Sequence, residues 1–252
     1  MLVWTVLGGC AGAPTPVDPF EVSPGADGLL LIAHGYHNNP SHWPRTLIAR
    51  VGELTPRAAR WDIYAHDWER QANRILTASR VGYRIGASLA GQVVGRGDPY
   101  PVVHLVGQSL GAHLVQGFVD TYRELGGRAV VHVTFLDPFL IRGVVGLGWG
   151  VRTFGRGADF AENYIVRGEP ALGTNRYLRH AHNFDVSSLV PDAMREEFIG
   201  PHWWVVAYYR ASVGRDAPGY SLSPMAVPAG RYDPKALARR YPAGEVTIVS
   251  VD

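Results

Sequence analysis

The chain has 252 residues and a formal net charge of +2, and 46% of its residues are hydrophobic against 18% charged. This composition supplies enough apolar side chains for a folded core and excludes an intrinsically disordered chain. The arginines are scattered along the sequence and Lys235 is the only lysine, so no basic patch indicates a nucleic-acid partner. We therefore expect a globular protein whose length suits one α/β domain.

The N-terminal segment carries the only cysteine, Cys10, which excludes an intramolecular disulfide and a cysteine-based zinc site. A short apolar run over 2–7, small residues before Cys10 and a Gly-, Pro- and Ala-rich stretch after it resemble the end of a bacterial lipoprotein signal. This pattern predicts a leader and linker over 1–27, a lipidated Cys10, and a cell-envelope or secreted location. A cytoplasmic location is the alternative if the segment is not a signal. No stretch of the sequence is long and apolar enough to span a membrane.

Residues 28–252 are predicted to form a single domain in which short apolar strands alternate with helices. The predicted strands are Leu29–Ala33, Trp61–Ala65, Val102–Val106, Ala129–Leu136, Asn163–Val166 and Glu245–Val249. The predicted helices are 71–95, 110–125 and 202–213. Continuous apolar strands alternating with helices indicate an α/β fold, a mostly parallel sheet covered by helices on both faces. The glycine-rich apolar stretch Arg142–Gly157 lacks periodicity and is predicted to be one long loop.

The pentapeptide Gly107–Gly111 (GQSLG) matches the pattern G-x-S-x-G. It directly follows an apolar strand and opens an amphipathic helix, which is the context of a nucleophile elbow. At such an elbow the serine hydroxyl is exposed near a helix N-terminus, and side chains at Gly107 or Gly111 would collide with the neighbouring strand and helix. We therefore predict that Ser109 is the nucleophile of a serine hydrolase.

A serine nucleophile needs a base that is oriented by an acid. Along the chain of an α/β hydrolase the order is serine, acid, histidine, which leaves His180, His182 and His202 as candidate bases. His202 is favoured because it lies where the chain runs into the last predicted helix, whereas His180 and His182 lie in a polar segment.

The acid has three candidates on the residues alone. Asp137 ends the strand that follows the elbow helix and is followed by Pro138, although a plain Asp-Pro turn would explain the same pattern. Asp185 and Glu169 are the alternatives.

The segment His34–Tyr36 follows the first strong strand. The backbone N–H of Tyr36, together with that of Leu110, is predicted to form an oxyanion hole. Loss of one such donor typically costs ~3 kcal/mol of barrier.

Five segments together resemble one known family. They are Ile32–Tyr36, Tyr64–Trp68, Val103–His113, Phe135–Pro138 and Ala158–Tyr164. Over about residues 28–210 the chain resembles the lipase family typified by pancreatic lipase. The resemblance implies an α/β-hydrolase fold, hydrolysis of carboxylic esters through an acyl-enzyme, and no metal or organic cofactor. It also favours Asp137 as the acid, because that family places its acid in a Leu-Asp-Pro setting after this strand; Asp185 stays the alternative.

The sequence also departs from this family. The cysteines of its disulfides and of its lid are absent, Gln108 stands where histidine is common, and too few residues follow 210 for its C-terminal β-sandwich domain. We expect a lipase or esterase acting on a lipid or small-molecule ester, with peripheral membrane contact through Cys10 or the 142–157 loop. An acyltransferase, thioesterase or phospholipase would use the same residues, and a non-catalytic binding scaffold is the alternative of a different class.

Overall fold

The computed structural model describes residues 21–143, 146–168, 171–197, 200–228 and 230–250. Within these residues seven strands form one sheet: β1 (Gly28–Ala33), β2 (Trp61–His66), β3 (Val102–Gln108), β4 (Val130–Leu136), β5 (Phe160–Ile165), β6 (His182–Asp185) and β7 (Val246–Ile248). The α-helices in the same residues are α1 (Trp43–Leu54), α2 (Glu69–Ala72), α3 (Ile75–Gly95), α4 (Gly111–Glu124), α5 (Trp149–Thr153), α6 (Asp192–Arg195), α7 (Gly200–Ala211) and α8 (Pro234–Arg240). The protein is of the α/β class.

The strand order across the sheet is β2-β1-β3-β4-β5-β6-β7, and every pair is parallel. The chain first builds outward from β1 to β2 and then, from β3 onward, builds in the opposite direction. The order therefore reverses between β1 and β3. In open α/β sheets, ligands bind in the crevice at the carboxyl ends of the strands where this reversal occurs.

The two faces of the sheet bury separate apolar clusters. On one face, α3 and α4 pack over side chains such as Leu105 and Val133. On the other, α1 and α7 pack over side chains such as Val106 and Phe184. Glycine allows α3 and α4 to approach closely, since a Cβ on Gly86 would lie 1.9 Å from the carbonyl oxygen of Leu114. This close packing holds α4, and with it the turn before α4, firmly against β3.

All six predicted strands are observed to within a few residues, and the parallel architecture is confirmed. Two expectations were wrong. The predicted loop Arg142–Gly157 contains α5, and the predicted helix over 71–95 is broken at Asn73–Arg74 into α2 and α3. The last predicted helix, 202–213, is observed as α7 and begins two residues earlier. The strand β6 was not predicted because its sequence, HNFD, is polar, although all four residues are buried.

The described part of the predicted linker, residues 21–27, contacts the folded domain. Asp27 pairs with Arg57 at 2.9 Å and with Arg60 at 2.8 Å. Cys10, the proposed lipidation site, lies outside the described residues. Among the helices of the described residues, none has both the length and the apolar character needed to cross a bilayer.

Candidate active site

Ser109 occupies the tight turn between β3 and α4. Its φ of 51° places it in the left-handed region, which non-glycine residues rarely adopt. The backbone of Phe139 and Leu136 holds this conformation: the Ser109 N–H donates to the Leu136 oxygen at 3.1 Å, and its carbonyl accepts from the Phe139 N–H at 3.0 Å. Strain of this kind persists only where surrounding structure enforces it, and it concentrates at functional sites.

The flanking glycines have no room for a side chain. A Cβ on Gly111 would lie 2.1 Å from the Ala33 carbonyl oxygen, and one on Gly107 would lie 2.9 Å from the Gly111 oxygen. The turn therefore brings the start of α4 directly against the end of β1. These distances leave no space for a side chain at either position.

Asp137 and His202 are 65 residues apart in sequence and are joined by a hydrogen bond of 2.6 Å between Oδ2 and Nδ1. Asp137 follows β4 directly, is fully buried and also has a left-handed φ, of 42°. Its other carboxylate oxygen, Oδ1, accepts the backbone N–H of Asn175 at 2.9 Å. His202 lies in the first turn of α7 and is 8% exposed. The carboxylate thus fixes one edge of the imidazole.

The opposite edge of the imidazole faces Gln108, whose Nε2 lies 3.1 Å from Nε2 of His202. Gln108 is the residue immediately before Ser109, so the histidine lies beside the turn that carries the serine. The amide oxygen of Gln108 is buried, and among the described residues it has no hydrogen-bond partner.

The segment His34–Tyr36 lies against the serine turn. A Cβ on Gly35 would be 2.7 Å from the Ser109 Cβ, so Gly35 packs directly against the serine side chain. The indole N–H of Trp68 donates to the His34 carbonyl at 3.0 Å and anchors this segment. Within the described parts of the chain, neither the Tyr36 N–H nor the Leu110 N–H donates a backbone hydrogen bond. Leu110 directly follows the serine, and Tyr36 directly follows Gly35, which packs against it.

The rival site residues have other contacts. The Asp185 carboxylate accepts the Tyr177 hydroxyl at 3.0 Å and the Ser187 N–H at 3.0 Å. His182 bonds through Nδ1 to the Pro242 carbonyl at 2.9 Å and through Nε2 to Thr247 at 2.8 Å. His180 is exposed, and Glu169 lies outside the described residues. The structure joins Asp137 to His202 and puts His202 beside Gln108, the residue before Ser109, whereas Asp185 and His182 have other partners. Sequence reasoning missed Asn175, because no local pattern marks a backbone donor.

A groove of about 820 Å³ begins close to this site. Leu140 and Asn175 line it, and Asn175 is the residue that donates to Asp137. Apolar side chains and three arginines make up most of the remaining wall: Ile141, Leu147, Val151, Leu172, Arg152, Arg176 and Arg179. Leu147 and Leu172 are 70% and 88% exposed, which is unusual for leucine.

A second polar cluster lies inside the sheet, away from Ser109. His104, His132 and Glu162 are fully buried on three adjacent strands. Burial lowers the pKa of His132 to about 3 and holds that of His104 well below its usual value, because the charged imidazole would lose its hydration. For the same reason, burial raises the pKa of Glu162 to about 8. The sequence did not single out this cluster, since strand register alone brings the three together.

No model of a known protein family matches the chain, and no curated protein matches it either.

Proposed function

We propose that this protein is a carboxylic ester hydrolase with an α/β-hydrolase fold, in which Ser109, His202 and Asp137 form the catalytic triad. The observation that carries the proposal is the 2.6 Å hydrogen bond between His202 and Asp137, which joins distant parts of the chain beside a serine in a left-handed turn. The expected chain order of serine, acid and histidine supports it further.

Each residue has a defined role in this mechanism. Asp137 accepts the Nδ1–H of His202, so the lone pair on Nε2 can take the proton of the Ser109 hydroxyl. The serine oxygen attacks the ester carbonyl, and His202 then returns the proton to the departing alcohol, leaving an acyl-enzyme. Water, deprotonated by His202, attacks the acyl carbon; the acyl–serine bond then breaks, His202 returns the proton to the Ser109 oxygen, and the acid is released.

The free backbone N–H groups of Tyr36 and Leu110 are suited to bind the oxyanion of both tetrahedral intermediates. Preorganised donors of this kind stabilise charge only as it develops. Gly35 supports the role of Tyr36, because Gly35 packs against Ser109 and so keeps the Tyr36 N–H close to the carbonyl that the serine attacks.

The test is labelling with a fluorophosphonate, which reacts with activated serines. We expect the wild-type chain to be labelled and to hydrolyse p-nitrophenyl esters, and Ser109→Ala to do neither. Ser88→Ala is the matched control, because Ser88 is a buried hydroxyl of α3 without a hydrogen-bond partner among the described residues. Equal labelling of wild type and Ser109→Ala, or no labelling of a folded wild type, would contradict the proposal.

A phospholipid ester is the second candidate substrate, and the arginines of the groove favour it. Arg152, Arg176 and Arg179 line a groove whose described walls include no acidic residue. Guanidinium groups bind phosphate well, and the apolar walls suit an acyl chain. Hydrolysis of phosphatidylglycerol and of a triglyceride should be compared, in wild type and in Arg176→Gln. A selective loss of the phospholipid activity in the variant would identify the substrate class, and equal rates on both lipids would exclude this preference.

A further inference from the structure

The imidazoles of His104 and His132 and the carboxylate of Glu162 project from one face of three neighbouring strands. His104 is in register with His132, and Glu162 is in register with Thr134, two residues beyond His132 on the same strand. Because side chains alternate along a strand, these register positions place all of them on the same side of the sheet. All three are 0% exposed, and contacts of His104 with Ser223 and of His132 with Tyr232 place them beneath the C-terminal segment.

The donor atoms of the three residues converge. One ligand atom from each lies within 4.8 Å of the others. Nε2 of His132 is 3.2 Å from Oε1 of Glu162. Adjacent ligands of a tetrahedral zinc ion are about 3.3 Å apart, given metal–ligand distances of about 2.0–2.1 Å.

The far side of each candidate ligand is already oriented by a hydrogen bond. Nδ1 of His104 contacts Ser223 at 3.0 Å, and Nδ1 of His132 contacts Tyr232 at 2.7 Å. The second carboxylate oxygen of Glu162 accepts the Tyr164 hydroxyl at 2.7 Å. Histidines that bind metals through one nitrogen almost always hydrogen-bond through the other, which fixes the tautomer and aims the ligand atom.

We infer that His104, His132 and Glu162 form a buried structural zinc site, with Nε2 of each histidine and Oε1 of the glutamate as ligands. The Thr134 hydroxyl lies among these atoms, 2.9 Å from Nε2 of His104 and 2.6 Å from Oε1 of Glu162. These spacings are shorter than those between ligands of one zinc ion, so the hydroxyl would turn away from Glu162 when the metal enters. Two imidazoles and a carboxylate are a ligand set that zinc takes in proteins. Two imidazoles and a carboxyl group in an apolar core are costly to bury, and coordination would offset that cost.

The site would act on the fold rather than on the reaction. His104 precedes Ser109 by five residues along β3, a distance of roughly 16 Å at the rise of a strand. A zinc ion there would tie β3, β4 and β5 together at mid-sheet. Through Ser223 and Tyr232 it would also hold the C-terminal segment, which has little regular structure, against the sheet.

The test uses the full chain without a histidine tag. The chain is expressed once in zinc-supplemented and once in cobalt-supplemented minimal medium. The metal is added during expression because a closed site has to be loaded as the chain folds. Elemental analysis should find about one zinc per chain. The cobalt form should show the intense visible absorption of tetrahedral Co²⁺. Thermal unfolding of metal-loaded protein should occur at a higher temperature than that of protein produced in chelator-treated medium.

The variants His132→Gln and Glu162→Gln should each lower the bound metal at least roughly tenfold. His113→Gln is the matched control, because it removes a buried histidine from the opposite face of the sheet and should keep the metal. Metal-free wild type from both media, or metal retained in both variants, would overturn the inference. If the variants fail to fold, the cobalt spectrum of the wild type still decides it, since a colourless, metal-free folded protein excludes the site.

Discussion

The side-chain nitrogen of Gln108 lies 3.1 Å from Nε2 of His202, on the edge of the imidazole opposite to Asp137. Since Asp137 accepts the Nδ1–H, Nε2 carries a lone pair, and the Gln108 amide donates to it. The same lone pair would have to accept the proton of Ser109 in the proposed reaction. In that reaction Gln108 would therefore compete with Ser109 for the imidazole.

Replacing Gln108 with methionine should relieve this competition. Methionine keeps the volume and removes the donor, so we expect Gln108→Met to raise the rate of acyl-enzyme formation. A net hydrogen bond is worth about 1 kcal/mol, which corresponds to a gain of about two- to tenfold. The burst phase with a p-nitrophenyl ester measures this step, and the free energy of unfolding should be followed alongside. A slower burst in a variant of unchanged stability would mean that the amide assists the base.

If Asp137 is the catalytic acid, substitution of Asp137 and of Asp185 should affect activity differently, although both aspartates end strands. Asp137→Asn should lower kcat by about 10⁴, because an amide favours the wrong imidazole tautomer. Asp185→Asn should keep most of the activity, since its carboxylate contacts Tyr177 and Ser187 instead. Steady-state hydrolysis of one soluble ester by both variants decides the matter. A severe loss in Asp185→Asn alone would transfer the role of acid to Asp185.

The packing of the serine turn predicts that Gly111 accepts no side chain. A Cβ there would lie 2.1 Å from the Ala33 backbone oxygen, so Gly111→Ala should destabilise the fold by at least about 2 kcal/mol and abolish labelling of Ser109. Gly91→Ala is the matched control, because Gly91 lies in α3 with no atom within 4 Å of an added Cβ. That variant should be more stable by about 0.5–1 kcal/mol. Urea unfolding of both variants gives the comparison, and a tolerated Gly111→Ala would contradict the turn geometry.

Because His113 is buried, we expect the folded protein to lose stability in acid. It stacks on Trp149 at 5.3 Å in the buried core, and burial lowers its pKa from 6.5 to about 3, with Arg142 as a smaller cause. Between these two values the unfolded chain binds a proton that the folded chain does not, so stability falls as the pH falls from 6.5 towards 3. At pH 4.5 this loss should reach about 3 kcal/mol. His113→Phe should lose less stability than wild type between pH 7 and pH 4.5 in urea unfolding, and equal losses would show that His113 does not titrate in this way.

The local pattern of the sequence was enough to predict the parallel α/β architecture and the turn at Ser109. Buried strands such as β1 and β3 are continuous apolar runs, and the glycines around Ser109 mark a sharp bend directly after one of them. These signals are local, because a few neighbouring residues decide whether a strand is buried and whether a turn can form. The short polar strand β6 carries no such signal and was not predicted.

Only the tertiary structure decided which distant groups meet. Asp137 and Asp185 both end strands and look alike in sequence, but the packing of α7 brings His202 to Asp137. The cluster of His104, His132 and Glu162 likewise depends on the register of three strands, which no single segment encodes. Contacts of this kind depend on how whole elements pack. The residues that meet are far apart in sequence, so local conformational preferences cannot bring them together.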